Sequence, residues 1–387
     1  MNACREDESI SKSYDVIVVG AGSMGMSAGY ELAARGAKPL LIDAFNPPHN
    51  MGSHHGEPRL IRHAYHGGDT YVKMALRADE KWLALERATG EKLLERSGVL
   101  NMAETSFYDY KGRLGDAMRN GVQVELLQAD EINRRFPGIR LDDSFQGMYE
   151  PNAGYLYSEK CIAAYKQQAL LAGAELLVDT FVTDIRADEG GVTVYTREEA
   201  YTASQVVITV GAWFHMLSNH VKLPIRAVRK VVGWFETSST AFDAGTFPGF
   251  TWGGALGGYY GFPSISGAGI KIGRHDTGVE WLPGEPIAPF GAYPEDEDDL
   301  RRALHAFVPG AAGKLLQSAV CKYEFTPDED FIIDAHPEHP NVLLAGGFSG
   351  HGFKFASVIG EILANKLEKK QTGYDLRIFE LSRFSSQ

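Results

Sequence analysis

The chain of 387 residues contains 44% hydrophobic residues and 43 glycines, and its 38 basic against 50 acidic side chains leave a net charge of −12. This length favours two domains, at about 100 to 200 residues each. The acidic balance argues against a nucleic-acid partner or an anionic membrane surface. The three cysteines are too few and too widely spaced for a disulfide framework or a zinc cluster, so a reducing compartment is expected.

Residues 1–13 are polar and acidic, and they lack the basic start and the apolar centre of a secretory signal. The sequence has no run of the ~18 apolar residues that a membrane span needs. We therefore predict a loose tail over residues 1–13 and a cytoplasmic protein without a membrane partner.

The first ordered elements form a nucleotide-binding pattern. Residues 14–19 (YDVIVV) predict a buried parallel strand, GAGSMG follows at 20–25, and the next apolar residues predict a helix ending near Gly36. A second apolar strand, 39–42, ends at Asp43. Strand, GxGxxG, helix, strand and acid within about 30 residues indicate a βαβ unit that binds a dinucleotide.

Each glycine of this pattern has a separate physical role. Gly20 permits the tight turn, Gly22 lets the backbone approach a pyrophosphate, and Gly25 lets the helix pack closely on the strand. Asp43 lies where a carboxylate accepts hydrogen bonds from a ribose hydroxyl. We expect these four residues to bind the cofactor, with a glycine-rich turn that binds no nucleotide as the alternative.

The middle of the chain continues the pattern of helices and parallel strands. Apolar periodicity predicts helices over 69–90 and 158–173, and apolar runs predict strands over 191–195 and 206–210. Cys161 falls on the apolar side of the second helix, which predicts an ordinary core cysteine.

The pattern changes between residues 224 and 323 to alternating, aromatic-rich segments, which favour an antiparallel sheet. The acidic run 295–299 predicts the start of a solvated helix. From residue 341 a strand, a glycine-rich loop and a helix return. A dinucleotide unit completed from the carboxyl end suits an extended FAD, with a helix near Gly352 directing its positive end toward the flavin.

We predict an α/β fold in which a Rossmann-like FAD-binding domain is interleaved with a substrate domain built on a mixed or antiparallel sheet. The predicted FAD-binding domain comprises residues 14–90, 150–223 and 324–387. The predicted substrate domain comprises residues 91–149 and 224–323.

Six segments resemble a known family. They are GAGSMG at 20–25, GSHHGEPRLIRHAY at 52–65, YYGFP at 259–263, AVCKY at 319–323, PDEDFIID at 327–334 and GFSGHGFKFAS at 347–357. Together they closely resemble the monomeric sarcosine oxidase family, with N-methyltryptophan oxidases almost equally similar. The resemblance implies a monomeric flavoprotein that oxidises secondary amines with oxygen, releases hydrogen peroxide and carries covalently attached FAD.

The resemblance changes the interpretation of two residues. From the residues alone, Cys321 is a buried structural cysteine. The family match implies that its sulfur bonds to FAD. Lys271 lies in a strand whose Ile270 and Ile272 share one face, so the pattern alone predicts a solvent-facing lysine. The family match implies a catalytic lysine beside the flavin that promotes reduction of oxygen, since a fixed ammonium stabilises the negative charge that forms.

The resemblance further implies a cavity lined by positive charge. Arg59 and His275 match catalytic residues that act electrostatically, while Arg62 and Lys354 match the pair that holds the substrate carboxylate. Such clustered cations need anions beside them, namely the carboxylate and the reduced flavin. We expect their field to favour the neutral form of the substrate amine, whose lone pair drives oxidation.

Other family positions lie close to the cofactor or the substrate. Tyr260 and Tyr323 match tyrosines that contact substrate, with plain aromatic packing as the alternative, and Gly350 and His351 match cofactor-binding positions. The histidines of the second segment lack carboxylate partners and ligand spacing, so no metal is predicted. They are His54, His55 and His63, with His66 following.

The chain also departs from the family. Glu57 and Pro58 stand where sarcosine oxidases tend to have Asp-Thr, and residues 251–258 (TWGGALGG) are unusual. The predicted reaction is oxidative demethylation of an N-methyl amino acid, converting sarcosine, oxygen and water to glycine, formaldehyde and hydrogen peroxide. The alternatives are N-methyltryptophan or a cyclic imino acid such as pipecolate as substrate, an FAD amine dehydrogenase that uses an electron carrier, and a nicotinamide dehydrogenase or non-catalytic nucleotide-binding module.

Overall fold

The computed structural model describes residues 12–384, so most of the predicted tail over residues 1–13 lies outside the described residues. The strands are β1 (Ser13–Val19), β2 (Pro39–Ile42), β3 (Arg59–Ile61), β4 (Leu94–Glu95), β5 (Val99–Glu104), β6 (Glu125–Gln128), β7 (Phe145–Glu150), β8 (Gly154–Leu156), β9 (Glu175–Leu177), β10 (Val182–Asp188), β11 (Gly191–Thr196), β12 (Ala200–Ile208), β13 (Arg226–Phe235), β14 (Gly249–Gly253), β15 (Tyr259–Phe262), β16 (Ile270–Arg274), β17 (Val279–Glu280), β18 (Leu315–Phe325), β19 (Ile332–Ala335) and β20 (Val342–Gly346). The helices are α1 (Ser23–Ala34), α2 (Asp69–Thr89), α3 (Lys111–Arg119), α4 (Ala129–Arg135), α5 (Ser158–Leu171), α6 (Glu295–Phe307) and α7 (Ala356–Leu367).

The first sheet has eight strands and contains the predicted βαβ unit. Its order is β10-β11-β12-β1-β2-β9, with β20 beside β12 and β19 beside β20. β1 pairs in parallel with β2 and β12, and β20 pairs in parallel with β12. All four residues of β2 are buried, as expected for a parallel strand that is covered on both faces.

The second sheet has nine strands and is largely antiparallel. Its order is β17-β13-β16-β15-β14-β5-β7-β6, with β18 beside β13 and one parallel pair between β14 and β5. Helix α6 buries Leu300, Ala303 and Leu304 in the apolar core of this sheet. A small sheet, β3-β8-β4, carries Arg59 on its first strand.

The structure confirms the predicted fold class of an α/β protein with a mixed second sheet. The helix predicted over 69–90 is α2, and Gly90 ends it at φ 73, a left-handed conformation that glycine adopts easily. The acidic run at 295–299 begins α6, as predicted. Cys161 is fully buried in α5.

The two large sheets draw on separate stretches of the chain. The first uses strands before residue 43, between 175 and 208, and after 332, whereas the second uses strands between 99 and 150 and between 226 and 325. This distribution supports the proposed domain boundaries, which remain a prediction. Within residues 12–384 no helix combines the length and the apolar character needed to cross a membrane.

We predict that Gly25→Ala destabilises the fold, because a methyl group there would lie 1.9 Å from the Gly20 carbonyl oxygen. Overpacking of this kind costs about 1–3 kcal/mol or more of unfolding free energy. The matched control is Gly22→Ala in the same turn, where a methyl group meets nothing within 4 Å. Urea titrations should show a loss below about 1 kcal/mol for the control. Equal losses in the two variants would contradict the close-packing role of Gly25.

Candidate functional site

A cavity of about 620 Å³ extends from the glycine turn after β1 to the second sheet. Most of the predicted site residues line it: Gly20, Gly22, Asp43, Arg59, Arg62, Tyr260, His275, Tyr323, Gly350, His351 and Lys354. Gly25, Lys271 and Cys321 are not among its lining residues. The structure therefore brings sequence-distant predicted residues to one continuous surface.

The glycine turn has the geometry that its three roles require. Gly20 has φ +91, and a side chain on it would meet the carbonyl oxygen of Thr209 at 2.7 Å. Gly22 faces open space at the cavity wall. Helix α1 begins directly after Gly22, so its amino end provides backbone N–H groups toward an anion in the cavity.

Asp43 closes this end of the cavity. Its carboxylate accepts the backbone N–H of Ala21 at 2.7 Å and that of Phe45 at 2.9 Å, and it lies 3.3 Å from His49 Nε2. A carboxylate has about four lone-pair sites, so capacity for a further donor, such as a ribose hydroxyl, remains.

Arg59 organises the loop that precedes β3. Its guanidinium donates to four backbone carbonyls at 2.6–2.9 Å, those of Ser53, His55, Gly56 and Pro58. The side chain also lines the cavity. Pro58 therefore contributes its carbonyl oxygen to this network, which the missing proline N–H does not affect.

Lys271 is buried, with 1% exposure, so the solvent-facing prediction is wrong. Alternation in β16 does place Lys271 on the face opposite to Ile270 and Ile272. The loop that precedes β3 and the rings of Trp234 and Phe262 cover this face. Its Nζ donates to the carbonyls of Gly56 at 2.5 Å and Pro58 at 3.2 Å. Burial lowers the pKa of Lys271 well below its usual value, and the Arg59 charge lowers it further.

Cys321 lies in β18, in the same region of the protein as Lys271, and is 3% exposed. It packs with Val232, Trp234 and Tyr260. Burial raises the pKa of its thiol, but a hydrogen bond with His55 and the charge of Arg59 outweigh burial and lower the pKa to about 7. A thiol with a lowered pKa is the nucleophilic type that forms bonds to carbon or sulfur.

Arg62 and Lys354 flank one aromatic ring at the far end of the cavity. The Arg62 guanidinium carbon lies 5.3 Å from the centre of the Tyr65 ring, and the Lys354 ammonium lies 5.1 Å from it. Lys354 donates to the His351 carbonyl at 2.6 Å. Burial, followed by the charges of Arg62 and Arg113, lowers the pKa of Lys354 well below its usual value.

His275 requires a correction. Burial and the nearby Lys230 charge lower its pKa to about 4, so its ring is neutral near pH 7. The positive charge predicted for the cavity therefore comes from arginine and lysine, and His275 contributes a neutral ring beside Tyr323, with ring centres 5.8 Å apart.

Tyr260 and Tyr323 both line the cavity, as direct substrate contact would require. Burial raises the pKa of Tyr260 to about 12 and raises that of Tyr323 well above its usual value, so both stay protonated near neutral pH. Each hydroxyl can thus donate a hydrogen bond.

Sequence reasoning missed several polar residues of this region. Asn101, 1% exposed, accepts from Arg62 Nη1 at 2.6 Å and from the Thr251 hydroxyl at 3.1 Å. Glu324 lines the cavity beside Tyr323. Neither lies in a glycine-rich motif. Asn101 is an isolated polar residue inside an apolar strand, which is a weak signal, whereas Glu324 lies in a strand with several polar residues and gives no such signal.

The histidines considered as metal ligands have other partners. His63 lies between Glu150 and Asp79, with ring nitrogens 2.5 and 3.2 Å from their carboxylates, and His55 lies 2.9 Å from the Val320 carbonyl. Among residues 12–384 no group of three or more His, Cys, Asp and Glu is arranged to hold a metal ion.

The shape of the cavity and the residues that line it fit FAD. The positive-φ turn, the open space at Gly22 and the acid at the end of β2 suit the adenosine and pyrophosphate parts. The cavity then continues to the aromatic and basic residues of the second sheet, which suit a flavin ring and an anionic substrate.

Comparisons with known proteins agree with this description. Residues 15–366 match the family model described as FAD dependent oxidoreductase. The chain is 45% identical over 378 residues to monomeric sarcosine oxidase of Bacillus sp. (strain B-0618), covering 97% of each chain. It is 41% identical over 375 residues to N-methyl-L-tryptophan oxidase of Salmonella arizonae, covering 96% of this chain and 99% of that one.

The fold is also similar to solved structures. L-proline dehydrogenase from P. horikoshii gives a TM-score of 0.84 at 21% identity, covering 97% of this chain and 99% of that one. At this identity the likeness concerns the fold alone, so it does not separate oxidases from dehydrogenases.

We predict that the Cys321 thiol of flavin-free protein ionises with a midpoint near pH 7. The measurement is the ultraviolet thiolate absorbance that Cys321→Ser removes from a pH titration. His55→Ala should raise the midpoint, because the thiolate loses a hydrogen bond. The matched control is Cys161→Ser: burial holds the Cys161 pKa well above 9.0, so this variant should remove no step below that pH. A Cys321 midpoint at or above 9 would contradict the prediction.

Proposed function

The chain belongs to the FAD dependent oxidoreductase family and is an FAD-dependent amine oxidase, and from this premise we propose that it oxidatively demethylates N-methyl amino acids of the sarcosine type. With sarcosine the proposed reaction consumes oxygen and water and yields glycine, formaldehyde and hydrogen peroxide. The observation that carries the proposal is the pair of cations, Arg62 and Lys354, which line the cavity and lie 5.3 and 5.1 Å from the centre of the Tyr65 ring.

The pair suits a small substrate that carries a carboxylate. The arginine offers a planar fork and the lysine a point charge, and both charges are partly or fully desolvated, so an incoming carboxylate restores the interactions that burial removed. Tyr260 and Tyr323 supply further donors to the bound molecule. The remaining positive field disfavours the protonated amine, which leaves the lone pair free for oxidation.

FAD, when bound, accepts the two electrons and the hydrogen lost from the carbon beside the amine nitrogen and makes them available to oxygen. Lys271 and Arg59 place positive charge near Cys321, where we propose that the cofactor attaches through sulfur. Their charge stabilises the negative charge that forms when oxygen is reduced. His275 acts as a neutral ring in this proposal.

Three finer statements belong to the same proposal. Covalent attachment rests on the lowered pKa of Cys321. A monomeric state rests on the 45% identity with a protein called a monomeric oxidase. A cytoplasmic location rests on the small number of cysteines, of which the two in the described range, Cys161 and Cys321, form no disulfide.

A larger side chain on the substrate is the second candidate. Thr251, Trp252 and Gly258 of the unusual 251–258 segment line the cavity together with Tyr260, so this segment borders the space that a larger side chain would enter. The 41% identity with N-methyl-L-tryptophan oxidase supports the same possibility. N-methyltryptophan and cyclic imino acids therefore belong in the substrate panel.

The decisive experiment is an anaerobic titration with sarcosine, N-methyltryptophan and pipecolate, followed by readmission of air and a peroxide assay. Bleaching of the flavin by an N-methyl amino acid, and peroxide equal to the amine consumed, are expected. Bleaching without rapid peroxide would instead indicate a dehydrogenase, and no bleaching by any of the three would overturn the proposed substrate class. A mass shift of one FAD on the denatured chain, lost in Cys321→Ser, tests the attachment.

We predict that Lys271→Met and Lys354→Met impair different half-reactions. Lys271→Met should slow reoxidation by oxygen about 10²- to 10³-fold, the usual effect of removing one electrostatic donor. Lys354→Met should raise the dissociation constant for sarcosine at least about tenfold and leave reoxidation nearly unchanged. Stopped-flow flavin absorbance measures both steps. Reoxidation slowed equally in the two variants would contradict the assignment of Lys271.

We also predict that Asn101 positions Arg62 for the substrate carboxylate. Asn101→Leu leaves Arg62 without its 2.6 Å acceptor, so KM for sarcosine should rise about tenfold with a smaller change in kcat. Thr251→Val, which removes only the second donor to Asn101, is the matched control and should have a lesser effect. The flavin spectral shift on binding acetate should weaken in parallel in Asn101→Leu. An unchanged acetate affinity would show that Asn101 does not act through Arg62.

A further inference from the structure

Glu324 is a buried carboxyl group with one oxygen that no residue in the range 12–384 satisfies. It is 6% exposed and lines the cavity, and its Oε2 has no hydrogen-bond partner among the described residues. Burial raises its pKa to about 7, an effect that hydrogen bonds from the backbone of Gly347 and Phe348 partly offset. Unsatisfied buried polar atoms are rare in native proteins, and one that belongs to a residue lining a binding cavity points to a ligand.

The position of Glu324 narrows the choice of ligand group. Its Oε2 lies close to Gly211, where a side-chain carbon would be 3.9 Å away. Gly211 lies two residues after Thr209, beyond the end of β12, and the Thr209 hydroxyl donates to the Gly20 carbonyl at 2.6 Å. Along β18, Glu324 is three residues beyond Cys321, the proposed point of flavin attachment. The carboxyl group thus lies near the glycine turn, on the strand that also carries Cys321.

The hydrogen-bonding chemistry of a carboxyl group narrows the choice of ligand group further. A pyrophosphate carries only acceptors and negative charge, so it would be repelled by an ionised carboxylate. A hydroxyl group both donates and accepts, and therefore pairs with a carboxyl group in either protonation state. In FAD, the part that connects the pyrophosphate to the flavin ring is the ribityl chain, which carries such hydroxyls.

We propose that Glu324 binds the ribityl hydroxyls of FAD and is a cofactor-binding residue of this enzyme. The inference depends on FAD as cofactor and not on the identity of the amine. If the enzyme oxidised none of the N-methyl amino acids but still needed Glu324 to bind FAD, the proposed role of Glu324 would stand and the proposed substrate class would fail.

The test measures the affinities of flavin-free protein for FAD, FMN and ADP. A Cys321→Ser background keeps FAD binding reversible. Glu324→Leu should weaken FAD and FMN binding about tenfold or more, as expected for a hydrogen bond lost in a buried site. Affinity for ADP, which lacks the ribityl chain, should not change. Glu324→Gln, which can both donate and accept, should restore most of the FAD and FMN affinity.

Thermal unfolding separates this role from a purely structural one. Without flavin, Glu324→Gln, which keeps an acceptor for the backbone N–H groups of Gly347 and Phe348, should melt close to the background protein. Glu324→Leu removes that acceptor together with the unsatisfied oxygen, so only the stabilisation added by FAD is compared for it. The stabilisation that FAD adds should be smaller than in the background protein. A structural role would lower both melting temperatures equally.

Two results would overturn the proposal: unchanged affinities for FAD and FMN in Glu324→Leu, or an equal loss of ADP affinity. Should the leucine variant not fold, the infrared carbonyl band of the carboxyl group, identified by its loss in Glu324→Gln, decides the matter. A shift of this band on adding FAD supports the contact, and a band that does not move overturns it.

Discussion

Buried positive charge is the constraint on which the site depends. Lys271 and Lys354 are both nearly inaccessible to solvent, and burial lowers the pKa of each well below its usual value. In the absence of anions their charged forms are therefore unfavourable. An anion that enters the cavity stabilises those forms, so binding and charging are coupled. In the proposed function, a substrate carboxylate beside Lys354 and the negative charge that forms on oxygen beside Lys271 would both be stabilised in this way.

This arrangement is built on the loop that precedes β3. The carbonyls of Gly56 and Pro58 serve both Arg59 and Lys271, so one backbone conformation fixes two cations. Glu159, at the start of α5, holds the loop by accepting the N–H groups of Gly56 and Glu57, and the Glu57 carboxylate in turn accepts the N–H of Glu159 at 3.2 Å. Glu57, where the sequence departs from the family pattern, thus helps to hold the loop against helix α5.

The sequence predicted the parts of the structure that depend on local pattern. The βαβ unit, the separate roles of Gly20 and Gly25 and the bounds of α2 follow from periodicity, glycine spacing and capping. The burial of Lys271 could not be predicted in this way, because alternation assigns a face of a strand but not what covers it. Nor could the neutral state of His275, which depends on cations from other elements. Asn101 and Arg62 form a hydrogen bond although they are 39 positions apart in the sequence, and a local sequence pattern cannot predict such a contact.

The same field supports the proposed attachment of the cofactor to Cys321. Burial alone would keep the Cys321 thiol protonated, as it does for Cys161. The difference is that Arg59 and His55 lie beside Cys321 and together reverse the effect of burial. A group that lowers a thiol pKa stabilises negative charge on sulfur, and it stabilises negative charge on reduced oxygen or on a reduced flavin for the same reason. Because attachment and oxidation both require a stabilised anion in this small volume, we expect a change at Arg59 to impair both together, and this coupling is what distinguishes the site from a surface that merely binds a dinucleotide.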